Sequence, residues 1–403
     1  MSLSRTLNAP SSMPVPPAAR ILLARLRQLV HGHLRLTAPD GSAYWFGTPG
    51  EQPEAELHIH DWAACRKLLL AGDIGFAEAF RDGLLDTPDP TSLLRLALRN
   101  ETVLGSTTAG SLPARAWYWL KHRLRRNSRA GSRRNIHAHY DLGNEFYRLW
   151  LDPGLTYSSA WFDGHYDMPL AEAQTAKYQR ICTVLDLRPG MRVLEIGCGW
   201  GGFAEHAARQ GIAVHGITIS GAQLEHARQR LAGNALVSLE WQDYRDLDGR
   251  YDAIVSIEMF EAVGEAYWQE YFGKVRSLLK PGGKALVQSI TIDESRFGQY
   301  RTGSDFIQEF IFPGGMLPSR SEFMNQARKA GLDTCDRLDF GYDYAETLRR
   351  WRHAFDGVPD PIRRLGFDEA FIRLWRLYLC YCEAGFDEES IGVSQFLLQE
   401  ARP

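Results

Sequence analysis

The sequence carries little net charge. Its 46 basic residues nearly balance 49 acidic ones, so no global field points to nucleic acid. Cysteine is also sparse. Cys65, Cys182, Cys198, Cys335, Cys380 and Cys382 include no pair at the Cys-x-x-Cys spacing of a metal site, and no metal is expected. They read as the reduced thiols of a cytosolic protein. No apolar run reaches the roughly 18–20 residues of a spanning helix. The N-terminus, with Pro10, Pro14, Pro16 and Pro17, lacks the charged start and apolar stretch of a signal peptide. These absences predict a cytoplasmic protein that meets a membrane only peripherally, at its inner face.

What is present has the balance of an ordinary globular protein, and 403 residues suit two domains. Residues 1–18 read as disordered. Residues 19–111 read as a small α+β N-terminal domain. Ile21, Leu22, Leu26, Leu29 and Val30 fall at helical spacing, and residues 34–46 alternate around Asp40-Gly41, a hairpin signal. Residues 56–60 suggest a further strand, and 62–72, 76–82 and 90–99 suggest helices. No polar constellation in this part suggests chemistry. Residues 112–136 read as a basic aromatic linker. Arg115, Lys121, Arg123, Arg125, Arg126, Arg129, Arg133 and Arg134 occur there with no acid, beside Trp117, Tyr118 and Trp119. Such a run suits an anionic lipid surface, where each cation contributes about 1 kcal/mol. A solvated interdomain linker is an equally compatible reading.

Residues 137–403 are organised around 191–204, MRVLEIGCGWGGFA. An apolar strand carrying Glu195 runs through Gly197, Gly199, Gly201 and Gly202 into a helix. Such a turn lets backbone N–H groups approach a ligand that no side chain blocks. The acid before the glycines resembles the cofactor loop of Rossmann-like S-adenosylmethionine (SAM) methyltransferases. Strand patterns at 212–219, 237–241, 251–257, 284–292, 334–340 and 394–398 alternate mostly with helical ones at 171–185, 221–232 and 268–279. The predicted class is therefore α/β, a Rossmann-like domain with helical insertions.

Ligands in such sheets bind beyond the carboxyl ends of the strands. Thr218, Ser220 and Gln223 follow the second strand, and Gln242 and Asp243 the third; short polar groups there suit a ribose diol and an adenine. Ser220 reads as a helix cap and Asp243 as a ligand contact. Glu258 and Glu261 follow the fourth strand three residues apart, which fits either catalysis or helix-dipole compensation. Residues 137–162, HAHYDLGNEFYRLWLDPGLTYSSAWF, read as a lid over the cofactor or as an ordinary capping helix and loop.

Several segments together resemble the cyclopropane-fatty-acyl-phospholipid synthase family. They are HYDLGNEFYRLWLD (139–152), LEIGCGWGG (194–202), GITISGAQ (216–223), QDYRDL (242–247), MFEAVG (259–264), FIFPGGMLPS (310–319), DFGYDYAETL (339–348) and YCEAGF (381–386). The resemblance implies SAM as cofactor, held by Tyr157, Ser158, Gly197, Gly199, Gly201, Thr218, Gln223, Gln242 and Asp243, with Tyr140 a further contact. It implies methyl transfer to a cis double bond of a phospholipid acyl chain, with ring closure assisted by bicarbonate as base. The bicarbonate would be held by Glu261, the Ile290 backbone and Tyr344, with help from Gln288, and with Ser159 and Cys382 nearby. Ser159 replaces a family cysteine and Gln288 a family histidine; an amide holds an oxyanion but does not exchange a proton near pH 7. His137 and His139 read as structural groups, and Trp268, Trp351 and Trp375 as core or acyl-tunnel walls. The implied partners are a phospholipid bilayer surface, unsaturated acyl chains and a second copy of the chain. A methylene or methyl-branched product, a small-molecule N-methyltransferase and a non-catalytic binding module are the rival readings.

Overall fold

The computed structural model describes residues 15–108, 127, 131 and 142–401. The chain divides into two compact units, residues 1–115 and 116–403. The expected disordered start lies outside the described residues up to 14, as does the basic linker apart from its positions 127 and 131.

The first unit runs α1 (Pro17–Leu26), β1 (His33–Thr37), β2 (Ala43–Gly47), β3 (Glu54–Ile59), α2 (Ala63–Arg81), β4 (Leu85–Asp86), α3 (Pro90–Arg99) and α4 (Glu101–Thr108). Its sheet has the order β2-β1-β3-β4. The expected hairpin forms between β1 and β2, with Gly41 at φ 81° in the turn. The two helices expected at 62–72 and 76–82 both form within α2 and meet at Gly72, whose φ of 61° and ψ of −131° break the helical run. Asn100 is buried and bonds through its side chain to Val30, His31 and Leu96, which pins the end of α3 to the chain entering β1.

The second unit is built on a seven-stranded sheet. Its elements are α5 (Asn144–Arg148), α6 (Leu170–Val184), β5 (Arg192–Ile196), α7 (Gly202–Arg209), β6 (Ala213–Thr218), α8 (Gly221–Arg230), β7 (Val237–Trp241), β8 (Tyr251–Ile257), α9 (Trp268–Leu278) and β9 (Leu279–Ile292). Then follow α10 (Glu294–Tyr300), α11 (Arg320–Lys329), β10 (Leu332–Asp339), α12 (Gly341–Asp356), α13 (Pro359–Arg364), α14 (Glu369–Asp387) and β11 (Ile391–Glu400). The strand order is β10-β11-β9-β8-β5-β6-β7. β5 to β9 pair in parallel, and β11 enters antiparallel between β9 and β10.

Central strands buried on both faces read as nearly continuous apolar runs, as Val193, Leu194 and Ile196 of β5 and Ala253, Ile254 and Val255 of β8 do. One face is covered by Phe260, Trp268, Tyr271, Phe272 and Phe323. The other is covered by Ile181, Phe203 and Ala207. From β5 the chain winds outward to β7, then returns to the opposite side of β5 as β8. This reversal is the topological switch point, where doubly wound sheets bind their ligands. The glycine turn after β5 and the acids after β8 flank it.

Among the insertions, α12 packs on α14 and carries an aromatic cluster. Trp351 and Trp375 lie in it with Phe146, Tyr147, Trp150 and Tyr157, with Trp150 and Trp351 at 5.7 Å between centroids. Trp268 is instead core, stacked on Phe260 at 5.5 Å. Of the described residues, no helix is long and apolar enough to cross a membrane.

Candidate active site

β5 ends at Ile196, and the turn that follows needs three left-handed residues. Gly197, Gly199 and Gly201 have φ of 86°, 51° and 84°. Glycine adopts these angles without the cost a Cβ imposes. Two of them are also packed closely: a Cβ on Gly197 would come to 3.0 Å from Met259, and one on Gly201 to 3.0 Å from Leu231. A Cβ on Gly199 would meet nothing within 4 Å, because that position borders a cavity. Gly201 shapes the turn and is not part of the cavity wall.

The same cavity is lined by Tyr157, Ser158, Gly197, Gly199, Thr218, Gln223, Gln242 and Asp243. The loop 155–158 of the expected lid thus faces the glycine turn, while His137, His139 and Tyr140 lie outside the described residues. Ser220 caps α8, its hydroxyl accepting from Gln223 N at 3.3 Å. Thr218 accepts from Ser220 N at 3.1 Å and reaches Gln223 Oε1 at 3.2 Å. Asp243 has a structural duty beside its place in the wall. It caps the turn at Arg245 N and pairs with the Arg245 guanidinium at 2.9 and 2.7 Å. Tyr157 shares a hydrogen bond with Tyr378 across their hydroxyls at 2.6 Å.

The residues expected to hold a base fall into two groups. Glu261 accepts from Ile290 N and, at 3.1 Å, from Ser289 Oγ, both through Oε1. Its Oε2 is buried without a hydrogen-bond partner. Tyr344, Gln288 and Ser159 do not bond to Glu261. They converge on Glu258. Tyr344 donates its hydroxyl to Glu258 Oε2 at 2.6 Å. Gln288 Nε2 and Ser159 N donate to Glu258 Oε1 at 2.7 and 2.9 Å. Glu258 lines the cavity of the glycine turn, and Glu261 does not. Cys382 bonds to neither acid; burial pushes its thiol pKa well up, so it stays protonated beside Tyr344 and Tyr378.

Both carboxyls are raised above the usual range, first by burial. For Glu258 the nearby Lys177 charge and the bonds from Tyr344, Ser159 and Gln288 oppose burial. For Glu261 the Glu258 charge adds to it, and the pKa reaches about 8. At neutral pH Glu261 therefore holds its proton, while the three donors that converge on Glu258 favour its carboxylate form.

Two of the three donors to Glu258 are held by neighbours. The Gln288 side-chain oxygen accepts from Gln395 Nε2 at 3.0 Å, and Arg180 donates to the oxygen of Gln395. This chain turns the Gln288 NH2 toward Glu258. The Ser158-Ser159 turn is gripped by Lys177, wholly buried on α6. Its ammonium donates to Ser158 Oγ, Ser159 O and Gln174 Oε1 at 2.6, 2.9 and 2.7 Å. Desolvation lowers its pKa to about 8. Ala160 N and Phe162 N donate to Thr347 and Asp343 on α12 at 3.0 and 2.7 Å, which anchors the rest of this loop.

Sequence reasoning noted Glu258 beside Glu261 without giving it a site role, and passed over Lys177. It noted Glu195 only as the acid of the loop. Glu195 lines the cavity with a buried, unpartnered Oε2. Burial pushes the Glu195 pKa well above the usual range, and its orphan carboxyl oxygen fits a ligand that brings a donor or a positive charge. SAM, with an ammonium and a sulfonium, matches that wall, and its ribose and adenine match the polar ends of β6 and β7.

A family profile described as mycolic acid cyclopropane synthetase matches residues 127–396. A tuberculostearic acid methyltransferase of Mycobacterium tuberculosis is 37% identical, over 97% of this chain and 94% of its own. A cyclopropane-fatty-acyl-phospholipid synthase of Escherichia coli is 34% identical, over 85% of this chain and 87% of its own. Among solved structures, a mycolic acid cyclopropane synthase complexed with SAH and CTAB aligns with TM-score 0.62 at 32% identity, covering 66% of this chain and 98% of that one. The chain belongs to the mycolic acid cyclopropane synthetase family and is a SAM-dependent lipid methyltransferase that modifies acyl chains.

Proposed function

We propose that this protein transfers the SAM methyl group to the cis double bond of an unsaturated phospholipid acyl chain and closes a cyclopropane ring. The observation that carries the reading is the buried, hydrogen-bonded carboxylate of Glu258 in the wall of the cofactor cavity, with Tyr157 in the same wall. Bound SAM supplies a methyl group on a sulfonium. An alkene is a weak nucleophile, so the protein's share of the work is to place it beside that methyl and to exclude water. Tyr157 lines the cavity, backed by the buried Trp150 and Trp351, and its ring attracts positive charge as it develops on the acyl chain. The chain would approach from a phospholipid bilayer that the protein touches peripherally, and a homodimer is part of the same reading.

A methylene or methyl-branched product is the second reading. It is favoured by the near full-length similarity to a tuberculostearic acid methyltransferase and by the amide at 288, where the resemblance expects an imidazole.

Mass spectrometry of total fatty acids from bacteria expressing the protein, fed methyl-labelled methionine, separates the readings. A labelled saturated CH2 addition that survives mild hydrogenation is the expected outcome. A product that mild hydrogenation converts to a methyl branch would establish the second reading. Unlabelled lipid alongside a labelled soluble amine would overturn both.

A further inference from the structure

We infer that the base is built into the chain: Glu258 takes the proton that leaves the methylated acyl chain, at the position where the resemblance places a bicarbonate. The inference rests on the acyl-chain reading above.

Three of the groups expected around a bicarbonate are the Ser159 backbone, Gln288 and Tyr344. All of them donate to the Glu258 carboxylate, at 2.9, 2.7 and 2.6 Å. A bicarbonate is a carboxylate-like anion and would need the same donors. Bringing it to them would set a second anion against a buried one that already satisfies them, a repulsion that low-dielectric surroundings magnify. The residues present therefore do not fit a separate bicarbonate. They fit a carboxylate tethered to β8.

The backbone supports the same conclusion. Glu258 is a non-glycine residue at φ 49°, directly after β8. Its N–H bonds to Gln288 O at 2.8 Å, so the strained conformation is locked to β9. A left-handed glutamate costs of order 1 kcal/mol, and such strain persists where the surroundings over-determine it, commonly at functional sites. It carries the side chain into the cavity that Gly199 leaves open. Glu261, three residues on, stays outside that wall with its own donors. It acts as a positioning residue, holding the Ser289-Ile290 segment of β9 next to Gln288.

The step balances without a further reagent. The methyl–sulfonium bond breaks as the alkene π pair forms the new C–CH3 bond, and the neighbouring carbon becomes cationic. A Glu258 oxygen removes a proton from the added methyl. The C–H pair becomes the C–C bond that closes the ring, and the proton rests on Glu258 until it passes to water. After a hydride shift between the two carbons, the same C–H pair instead forms the C=C of a methylene product. Glu258 serves either outcome.

The test uses the full chain, SAM and vesicles of dioleoyl phosphatidylglycerol, in buffer stripped of carbon dioxide or supplemented with bicarbonate. Wild type is expected to release S-adenosylhomocysteine and modified lipid at equal rates in both. Glu258→Gln is expected to lose about 10²–10⁴-fold in turnover, the usual share of a general base, while still binding S-adenosylhomocysteine. Glu258→Gly suits the left-handed backbone and frees the donors. It is expected to be inactive in stripped buffer and to recover with bicarbonate or formate. Loss of wild-type activity on stripping, wild-type turnover by Glu258→Gln, or failure of both anions to rescue a folded Glu258→Gly would overturn the assignment. Wild type inert toward the vesicles in both buffers would overturn the acyl-chain reading itself, an outcome distinct from any in which wild type turns over.

Discussion

At the scale of single residues, the site is governed by which carboxyl holds its proton. Tyr344 donates to the only Glu258 oxygen that Ser159 and Gln288 leave to it. A hydrogen bond to an ionised group is worth about 1.5–3 kcal/mol. Tyr344→Phe removes a bond that favours the charged form, so the Glu258 pKa rises further. The acid limb of the kcat–pH profile should then move to higher pH, with turnover at neutral pH falling roughly 10–100-fold, and SAM affinity should hold. An unshifted limb would detach Tyr344 from the base. Glu261 titrates with the opposite emphasis. Its folded pKa of about 8 lies above the ordinary glutamate value of 4.5, so between these values the folded state binds more protons than the unfolded one. Its contribution to stability is complete below about pH 4.5 and is lost as pH rises through about 8. Glu261→Gln cannot ionise, so its melting temperature should fall less than that of wild type between pH 5 and 8, read from thermal melts across that range. Parallel curves would mean that Glu261 is not protonated in the fold.

At the scale of elements, most of the second unit is legible because its strands alternate with helices and its turns carry glycine. The hydrophobic runs of β5 and β8, the Ser220 cap and the Asp40-Gly41 hairpin each follow from local chemistry. What local chemistry does not reveal is the antiparallel insertion of β11 between β9 and β10, since strand order is decided by long-range packing. The division of labour at the site is hidden for the same reason. Glu258 and Glu261 are near in sequence, yet the backbone at φ 49° sends Glu258 toward donors 86, 30 and 99 residues away, while Glu261 bonds to Ser289 and Ile290 of β9. The resemblance supplied the set of residues, and only packing shows which acid they surround. Gln288 illustrates the point. Its amide looks like a loss of a proton-exchanging group, but paired with Gln395 across β9 and β11 it becomes an oriented donor. Gln395→Leu should leave the Gln288 oxygen buried and unpaired. That costs about 1–3 kcal/mol of stability and lowers kcat with little change in the KM for SAM. A variant that melts lower but keeps its kcat would restrict this pair to a structural role.

At the scale of the whole molecule, the proposed reaction demands access to a substrate in a bilayer, while the chain as a whole carries a formal charge of −3. Uniform charge therefore gives no attraction to anionic lipid, and any attraction must come from an uneven distribution. The unevenness is greatest in residues 112–136, where eight cations occur without an acid. Among the described residues, the elements on either side of this run end at Thr108 and begin at Asn144. It is also separate in sequence from the cavity-lining residues of the second unit. Removing its charge should weaken the encounter with lipid and spare the cofactor site. Replacing Arg123, Arg125 and Arg126 with serine removes about 3 kcal/mol of attraction, roughly a hundredfold in affinity for phosphatidylglycerol vesicles. In cosedimentation the loss should be largest at low salt and should shrink as salt screens the surface. Turnover on vesicles should fall through KM, while titration with S-adenosylhomocysteine gives the wild-type affinity. Unchanged vesicle binding at low salt would remove the run as the lipid contact and leave it a solvated linker.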